Sequence, residues 1–473
     1  MNDKALNPPN SLWADLALPA LVCGYGTAVA MWLVGFATHL PGLALPKPVI
    51  GFALLIPFAA GAWLTGRLVP ARRAGSIGAL MGLVTGLVNL LVLGSILVEP
   101  DTQAGARPEW PMVVGGFLVF SAMIGAIAAT AGSRLGRAPS TPAADGPTWL
   151  ARFGIVAAAS AVPVLLSGGL VTSTESGLAV PDWPTSYGAN MFLFPLSRMT
   201  GGIYYEHAHR LFGSLVGLTV LTLMVATFLT VRSRLLRTMV VGAFVIVLAQ
   251  GVLGGTGVLR ADAHTPTAAE ALAALPAPEE VPANYATRTD STTSRAMRML
   301  HGITGQLTFG YLCLTAAILS PRWRRAPRTL THNRALCFFT AVLLAALVLQ
   351  LSLGAGLRHF GHPAFLHSHL TMAVLVLIIG ALTGFRAAAK AREDGIPLVR
   401  RLGKAMTHTL GLQVVLGLVA LFLVLPYDGR PDPAAGVLFA TAHQAVGALL
   451  LGLSVLLLAW TRRLMAPAAP AAA

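Results

Sequence analysis

Long unbroken apolar runs dominate the chain, with short polar stretches between them. A helix that crosses a bilayer needs ~20 predominantly apolar residues. Twelve runs reach that length, at about 16–37, 49–69, 75–97, 111–132, 151–171, 205–230, 238–258, 298–319, 335–356, 366–387, 404–425 and 437–460. The runs are continuous and not alternating, so they predict helices and not the short alternating strands of a membrane barrel. The expected fold is all-α: a polytopic membrane protein with about 12 transmembrane helices.

Composition agrees. Of 473 residues, 55% are hydrophobic and only 11% charged, with a mean hydropathy of +0.71. A soluble surface needs roughly a quarter of the residues charged, so soluble, disordered and coiled-coil classes are excluded. The net charge of +15 would suggest nucleic acid in a soluble protein. Here the positions of the charges decide. If the N-terminus is inside, 23 of the 33 Lys and Arg fall on the inner side. They include Lys4, Arg72 and Arg73, Arg134 and Arg137, Arg232 to Arg237, Arg322 to Arg334, Arg386 to Lys404, and Arg462 with Arg463. This is the positive-inside bias. It predicts both termini in the cytoplasm, a retained first span, and topology anchors with no nucleic-acid partner. Cys23, Cys313 and Cys337 lie in or beside apolar runs with no CxxC spacing, which argues against a zinc site or disulfide framework.

The last eight spans repeat themselves. His301, Gly305, Leu307 and Gly310 make H-x-x-x-G-x-L-x-x-G, and His443, Gly447, Leu449 and Gly452 make it again. The preceding span carries Q-x-V-L-G each time, Gln250 to Gly254 and Gln413 to Gly417. Before these come H-x-H pairs, His207/His209 and His367/His369. The order predicts two pseudo-repeated four-helix bundles. The expected domains are an N-terminal four-span block over 1–140 with no interpretable motif, a bundle over 149–320 and a bundle over 333–462. Linkers are expected near 138–148 and 261–294, and a Pro/Ala tail from Ala466.

Of 12 histidines, four lie near the start of even-numbered spans: His209, His301, His369 and His443. Ionisable residues inside a membrane are costly and usually functional. Two imidazoles per bundle, with no Cys at the same depth, suit a haem iron with two axial ligands. Zinc more often takes three or four N, S or O ligands. His207 and His367 lie about 200° round the helix from their neighbours, which points to packing or rim roles.

Glu206 precedes His209 by three residues on one face, whereas Leu366 holds the equivalent place before His369. The asymmetry suggests one reactive and one supporting centre; a salt bridge from Glu206 to Arg210 or Arg298 is the structural alternative. Arg210, Arg298 and Arg358 are candidate contacts for carboxylates such as haem propionates.

These residues resemble a known family. Glu175-Ser-Gly-Leu-Ala-Val-Pro-Asp-Trp-Pro184 resembles the G-L-x-x-P-D-W-P signature of the haem A synthase family, with Pro181, Asp182, Trp183 and Pro184 at its end. Glu206-His-Ala-His-Arg210 resembles its E-x-x-H-R motif, and Leu353-Gly-Ala-Gly-Leu-Arg-His359 the end of its fifth helix. His301, His369 and His443 fall where that family has its other histidines. The resemblance covers about residues 150–462.

The resemblance implies an oxidoreductase of the cytochrome oxidase assembly pathway. It would turn a methyl group of haem o into a formyl group through a hydroxymethyl intermediate. His209 and His301 would be axial ligands of the substrate haem, His369 and His443 the ligands of a haem b iron, and Glu206 the catalytic residue. Partners would be haem o, its producing enzyme and a separate electron donor, in a bacterial inner membrane. Two departures stand out. Val180 occupies a position where some members have an outer-loop cysteine, and the four-span N-terminal block is extra. A di-haem b electron-transfer cytochrome and a non-catalytic haem-handling or assembly protein are the competing readings.

Overall fold

The computed structural model describes residues 12–97, 109–135, 145–261, 291–327, 329–424 and 434–465. Lys4, Arg137, Arg328, the larger part of each expected linker (138–144 and 262–290) and the tail from Ala466 lie outside the described residues.

Twelve long helices are present among them: α1 (Leu18–Thr38), α2 (Lys47–Leu68), α3 (Ala74–Leu93), α4 (Trp110–Leu135), α5 (Gly146–Ser173), α6 (Gly201–Thr230), α7 (Arg234–Leu259), α8 (Thr292–Leu319), α9 (Arg334–Phe360), α10 (Pro363–Glu393), α11 (Pro397–Val424) and α12 (Ala435–Met465). Each matches one expected run, and each is long and apolar enough to cross a membrane. Large apolar side chains such as Phe52, Ile56, Met112, Ile127, Phe338 and Phe422 face outward, as a lipid solvent allows. No strand occurs among the described residues. The protein is an all-α polytopic membrane protein.

The chain forms two compact units. The first comprises residues 1–164, 176–247 and 263–288; the second comprises 165–175, 248–262 and 289–473. Helices α5 and α7 are thus divided between them. The division into three blocks expected from the repeat is one of sequence.

In the first unit, α2, α3 and α4 meet at backbone distance. A Cβ added to Gly66 would run into the Ala129 carbonyl, one on Gly78 into that of Gly125, and one on Gly132 into that of Trp63. Membrane helices gain little from mutual hydrophobicity, so small residues that admit close approach supply the packing. Helix α1 then joins this block to α6. Phe36 stacks on Tyr204 with ring centroids 5.3 Å apart and meets Phe212 edge-on at 5.5 Å. Tyr204 donates its hydroxyl to the Phe36 carbonyl, 2.5 Å, and the Tyr25 hydroxyl bonds Thr222 Oγ1, 2.8 Å. Trp32, beside Phe212, donates Nε1 to Asn89 Oδ1 of α3, 3.0 Å.

In the second unit, α9, α10, α11, α12 and α8 pack around a core of Leu336, Leu343, Val376, Met406, Leu451 and Trp460. Gly452 of α12 faces Phe309 and Cys313 of α8. Helix α9 ends on Gly361 in the left-handed region (φ 65°), where a residue without Cβ is at ease. Pro363 follows as the first residue of α10, and the His362 side chain accepts its Ala364 N–H.

Candidate functional site

In the first unit the chemistry gathers around the first turns of α6. Glu206 is buried, at 4% exposure. Its Oε1 accepts Arg210 Nη2 at 2.6 Å, and its Oε2 accepts the Val180 N–H at 2.8 Å. The alternative foreseen for Glu206, an ion pair, is what the geometry shows with Arg210. Arg210 also donates to the carbonyls of Val180 (3.0 Å), Asp182 (2.6 Å) and Thr185 (3.0 Å). Four of the five guanidinium N–H groups are thus engaged. The pair clamps the P-D-W-P loop onto α6.

Inside the loop Asp182 is the hub. Its carboxylate accepts Thr185 Oγ1 (2.5 Å), Tyr187 N (2.7 Å) and Gly188 N (2.8 Å). Tyr187 is held at φ 53°, a conformation unusual for a residue with a Cβ, and Asp182 secures it by taking its N–H. Val180, Tyr187, Phe194 and Ile203 form a small core beneath. Pro181, Trp183 and Pro184 belong to the same turn, with Trp183–Pro184 cis. Val180 is fully buried. His207 packs against Phe194 with ring centroids 5.0 Å apart and bonds Ser186 Oγ at 3.1 Å. It has the packing role its helical position suggested.

His209, one turn on from Glu206, has Nδ1 3.1 Å from the Val164 carbonyl of α5. A carbonyl can only accept, so Nδ1 carries the proton and Nε2 the lone pair.

The other three ligand candidates lie in the second unit. His369 and His443 stand near the starts of α10 and α12 with ring centroids 6.4 Å apart and planes at 80°. His369 Nδ1 faces the Gln350 carbonyl at 3.2 Å. The Gln350 amide stands 3.3 Å from Nε2 of the same ring. Gln413 repeats this at His443: its amide is 3.3 Å from Nε2, and its carbonyl faces the ring, too loosely for a well-formed bond at Nδ1. His301 is faced by the Gln250 carbonyl, while the Gln250 amide donates to Thr304 Oγ1 at 2.7 Å.

Arg358 donates Nη2 to the Thr172 carbonyl at the end of α5, 2.7 Å, with Glu175 as a nearby charge. The Arg298 side chain lies along Gly257. His367 is exposed. Sequence reasoning missed Gln350; its signal was there, since Gln350 precedes Gly354 by the same four residues that separate Gln250 from Gly254.

The second-unit pair can be tested against a haem. Two imidazoles on opposite sides of one metal, with bonds of about 2 Å, put their ring centroids roughly 6 Å apart, and the observed 6.4 Å fits. Among the described residues no three His, Cys, Asp or Glu converge on a metal position, as a zinc site would require. Gln350 Oε1 and Gln413 Oε1 are buried beside these rings with no protein partner. The residues fit a two-ligand haem.

The fold and site thus define a class: an all-helical membrane protein with imidazoles held in place near the starts of four helices. Comparison makes it particular. Residues 151–362 match the family described as cytochrome oxidase assembly protein. A heme A synthase of an Exiguobacterium species is 32% identical over 98 residues, which are 20% of this chain and 31% of that protein. The chain thus spans about a third of the length of the curated relative it matches. Each match covers less than half of this chain. The matched region includes the P-D-W-P loop, Glu206, His209, His301 and Arg358; His369, His443 and the N-terminal block lie beyond it.

Proposed function

We propose that the protein is a haem A synthase-like oxidase, converting a methyl group of haem o to a formyl group by way of a hydroxymethyl stage. The observation that carries this reading is the asymmetry on α6. His209 sits one turn from a buried, ion-paired carboxylate beneath a clamped loop, while Leu366 takes that place before His369. A plain electron-transfer cytochrome needs no such carboxylate.

His369 and His443 would hold haem b, which when bound supplies one-electron redox chemistry. His209 and His301 would be the ligands of the substrate haem, by their places in the repeat. Glu206 would be the catalytic residue. Held by Arg210 and the Val180 N–H, its carboxylate is a fixed negative charge. It would orient the substrate and stabilise positive charge developing at the oxidised carbon. Arg298 and Arg358 would meet propionates; Arg210 has one N–H left to offer. The block over 1–140 would be accessory, bracing α6, with the bundles over 149–320 and 333–462 as substrate and cofactor sides. Haem o would come from its producing enzyme, and each oxidation would consume dioxygen, one oxygen atom going to the carbon and the other to water, with two electrons from a separate donor and two protons. The setting would be a bacterial cell membrane with both termini cytoplasmic.

Co-expression with a haem o source, followed by extraction and mass analysis of the haems, tests this. Haem A or its hydroxymethyl precursor is expected. Only haem b in well-folded protein would favour the cytochrome reading and sink the proposal. Glu206→Gln should end product formation while bound haem remains; full turnover would remove Glu206 from the catalytic role.

A further inference from the structure

One arrangement recurs at every ligand candidate. On the helix before the histidine, a main-chain carbonyl faces the imidazole, and a glycine follows four residues later. The carbonyls are those of Gln250, Gln350 and Gln413, and the glycines are Gly254, Gly354 and Gly417. The glycines touch the rings. A Cβ on Gly354 would lie 2.8 Å from His369 Cε1, one on Gly417 2.8 Å from His443 Cε1, and one on Gly254 3.1 Å from His301 Cε1. The four-residue spacing has a reason: in a helix the carbonyl of residue i points at the N–H of i+4. A ring that reaches this carbonyl must therefore pass over residue i+4. Only glycine leaves room. Val164 supplies the carbonyl to His209, and Gly168 follows it by four in sequence.

We infer that Gly254, Gly354 and Gly417, with the carbonyls of Gln250, Gln350 and Gln413, are positioning residues: seats that fix the tautomer and rotation of His301, His369 and His443, with the proton toward Nδ1 and the lone pair on Nε2. At His369 the glutamine grips both ends of the ring, while at His443 it faces both ends and bonds at Nε2 alone. Its carbonyl faces the Nδ1 side and its amide, which can only donate, faces Nε2. The Val164 seat lacks that amide, and the Gln250 amide is turned to Thr304, so the amide contact at Nε2 belongs to the C-terminal pair. A hydrogen bond at Nδ1 raises the basicity of the ligating nitrogen and sets ring orientation.

The inference rests on the reading that His369 and His443 hold haem b, and its test separates the two. The full-length protein, purified with haem b only, is titrated to obtain the midpoint potential of its low-spin haem. Gly354→Ala pushes the His369 ring off its carbonyl, weakens the Nδ1 bond and lowers ligand basicity, and Gly417→Ala pushes the His443 ring further from the carbonyl it faces. The potential should move to more positive values, or folded protein should lose its haem. Gly380→Ala is the control. Its Cβ would be equally crowded, 2.8 Å from Leu410 Cδ2, with no histidine nearby. It should keep haem and potential. Unmoved potentials in both seat variants, or an equal shift in the control, overturn the inference. If neither seat variant folds, ¹⁵N spectra of histidine-labelled, haem-free wild type decide, with His369→Gln and His443→Gln assigning the signals. Protonated Nδ1 is expected, and protonated Nε2 overturns it. Wild type that binds no bis-histidine haem defeats the haem b reading instead, and the ¹⁵N spectra then judge the seats alone.

Discussion

Arg210→Met removes the cation of the loop clamp and leaves Glu206 behind. The two side chains are only 9% and 5% exposed, so the carboxylate stays buried with the Val180 N–H as its remaining partner. Breaking a buried pair by deleting one member costs about 3–5 kcal/mol, because a stranded charge remains. The carbonyls of Val180, Asp182 and Thr185 also lose donors, at about 1 kcal/mol each where water cannot replace them. A loss of roughly 4 kcal/mol or more is expected. Glu206→Gln/Arg210→Met removes the stranded charge and should recover about 2 kcal/mol of it. Unfolding in mixed micelles, followed by helical circular dichroism, gives the stabilities. Amide exchange over residues 176–200 reports the loop and should rise in the single variant. A single variant within about 1 kcal/mol of wild type, or a double variant worse than the single, would refute the clamp.

Three further outcomes are expected. Gly66→Ala drives a methyl into the Ala129 carbonyl and should destabilise by about 1–3 kcal/mol as α2 and α4 separate, whereas Gly51→Ala meets nothing and should be neutral or gain up to about 1 kcal/mol; thermal unfolding of the pair checks this. Asn89→Leu strands the buried Trp32 Nε1 donor and should cost about 1–3 kcal/mol, with Trp32→Phe/Asn89→Leu recovering part of it. Deleting residues 1–140 exposes Tyr204, Phe212 and Thr222 of α6 and should leave protein that fails to accumulate; a stable, haem-retaining eight-span product would show that the block is dispensable.

The twelve spans were legible because lipid allows continuous apolar runs, and a run of ~20 residues leaves little freedom in its boundaries. The four histidines were legible because an ionisable residue within such a run stands out. The glycine seats were not. A helical glycine in a membrane protein is common, and only the ring lying across Gly354 or Gly417 gives it meaning. Asp182 was visible as part of a motif, but its three loop hydrogen bonds depend on a turn that no periodicity announces. The contacts of α1 with α6 were equally hidden, since an aromatic residue in a span faces lipid or protein without changing the pattern. The pairing of Glu206 with Arg210 follows from the i, i+4 spacing.

Helix α6 serves several masters at once. One face meets the aromatic side chains of α1, another holds the loop through Glu206 and Arg210, and a third directs His209 to α5. A rotation of the helix that eases one contact therefore worsens the others. The consequence is genetic. Compensating changes for a damaged loop clamp should arise on α1, at Trp32 or Phe36, far from the lesion in sequence. A screen for restored loop protection would recover them as second-site revertants, which ties the N-terminal spans to the loop clamp through inheritance.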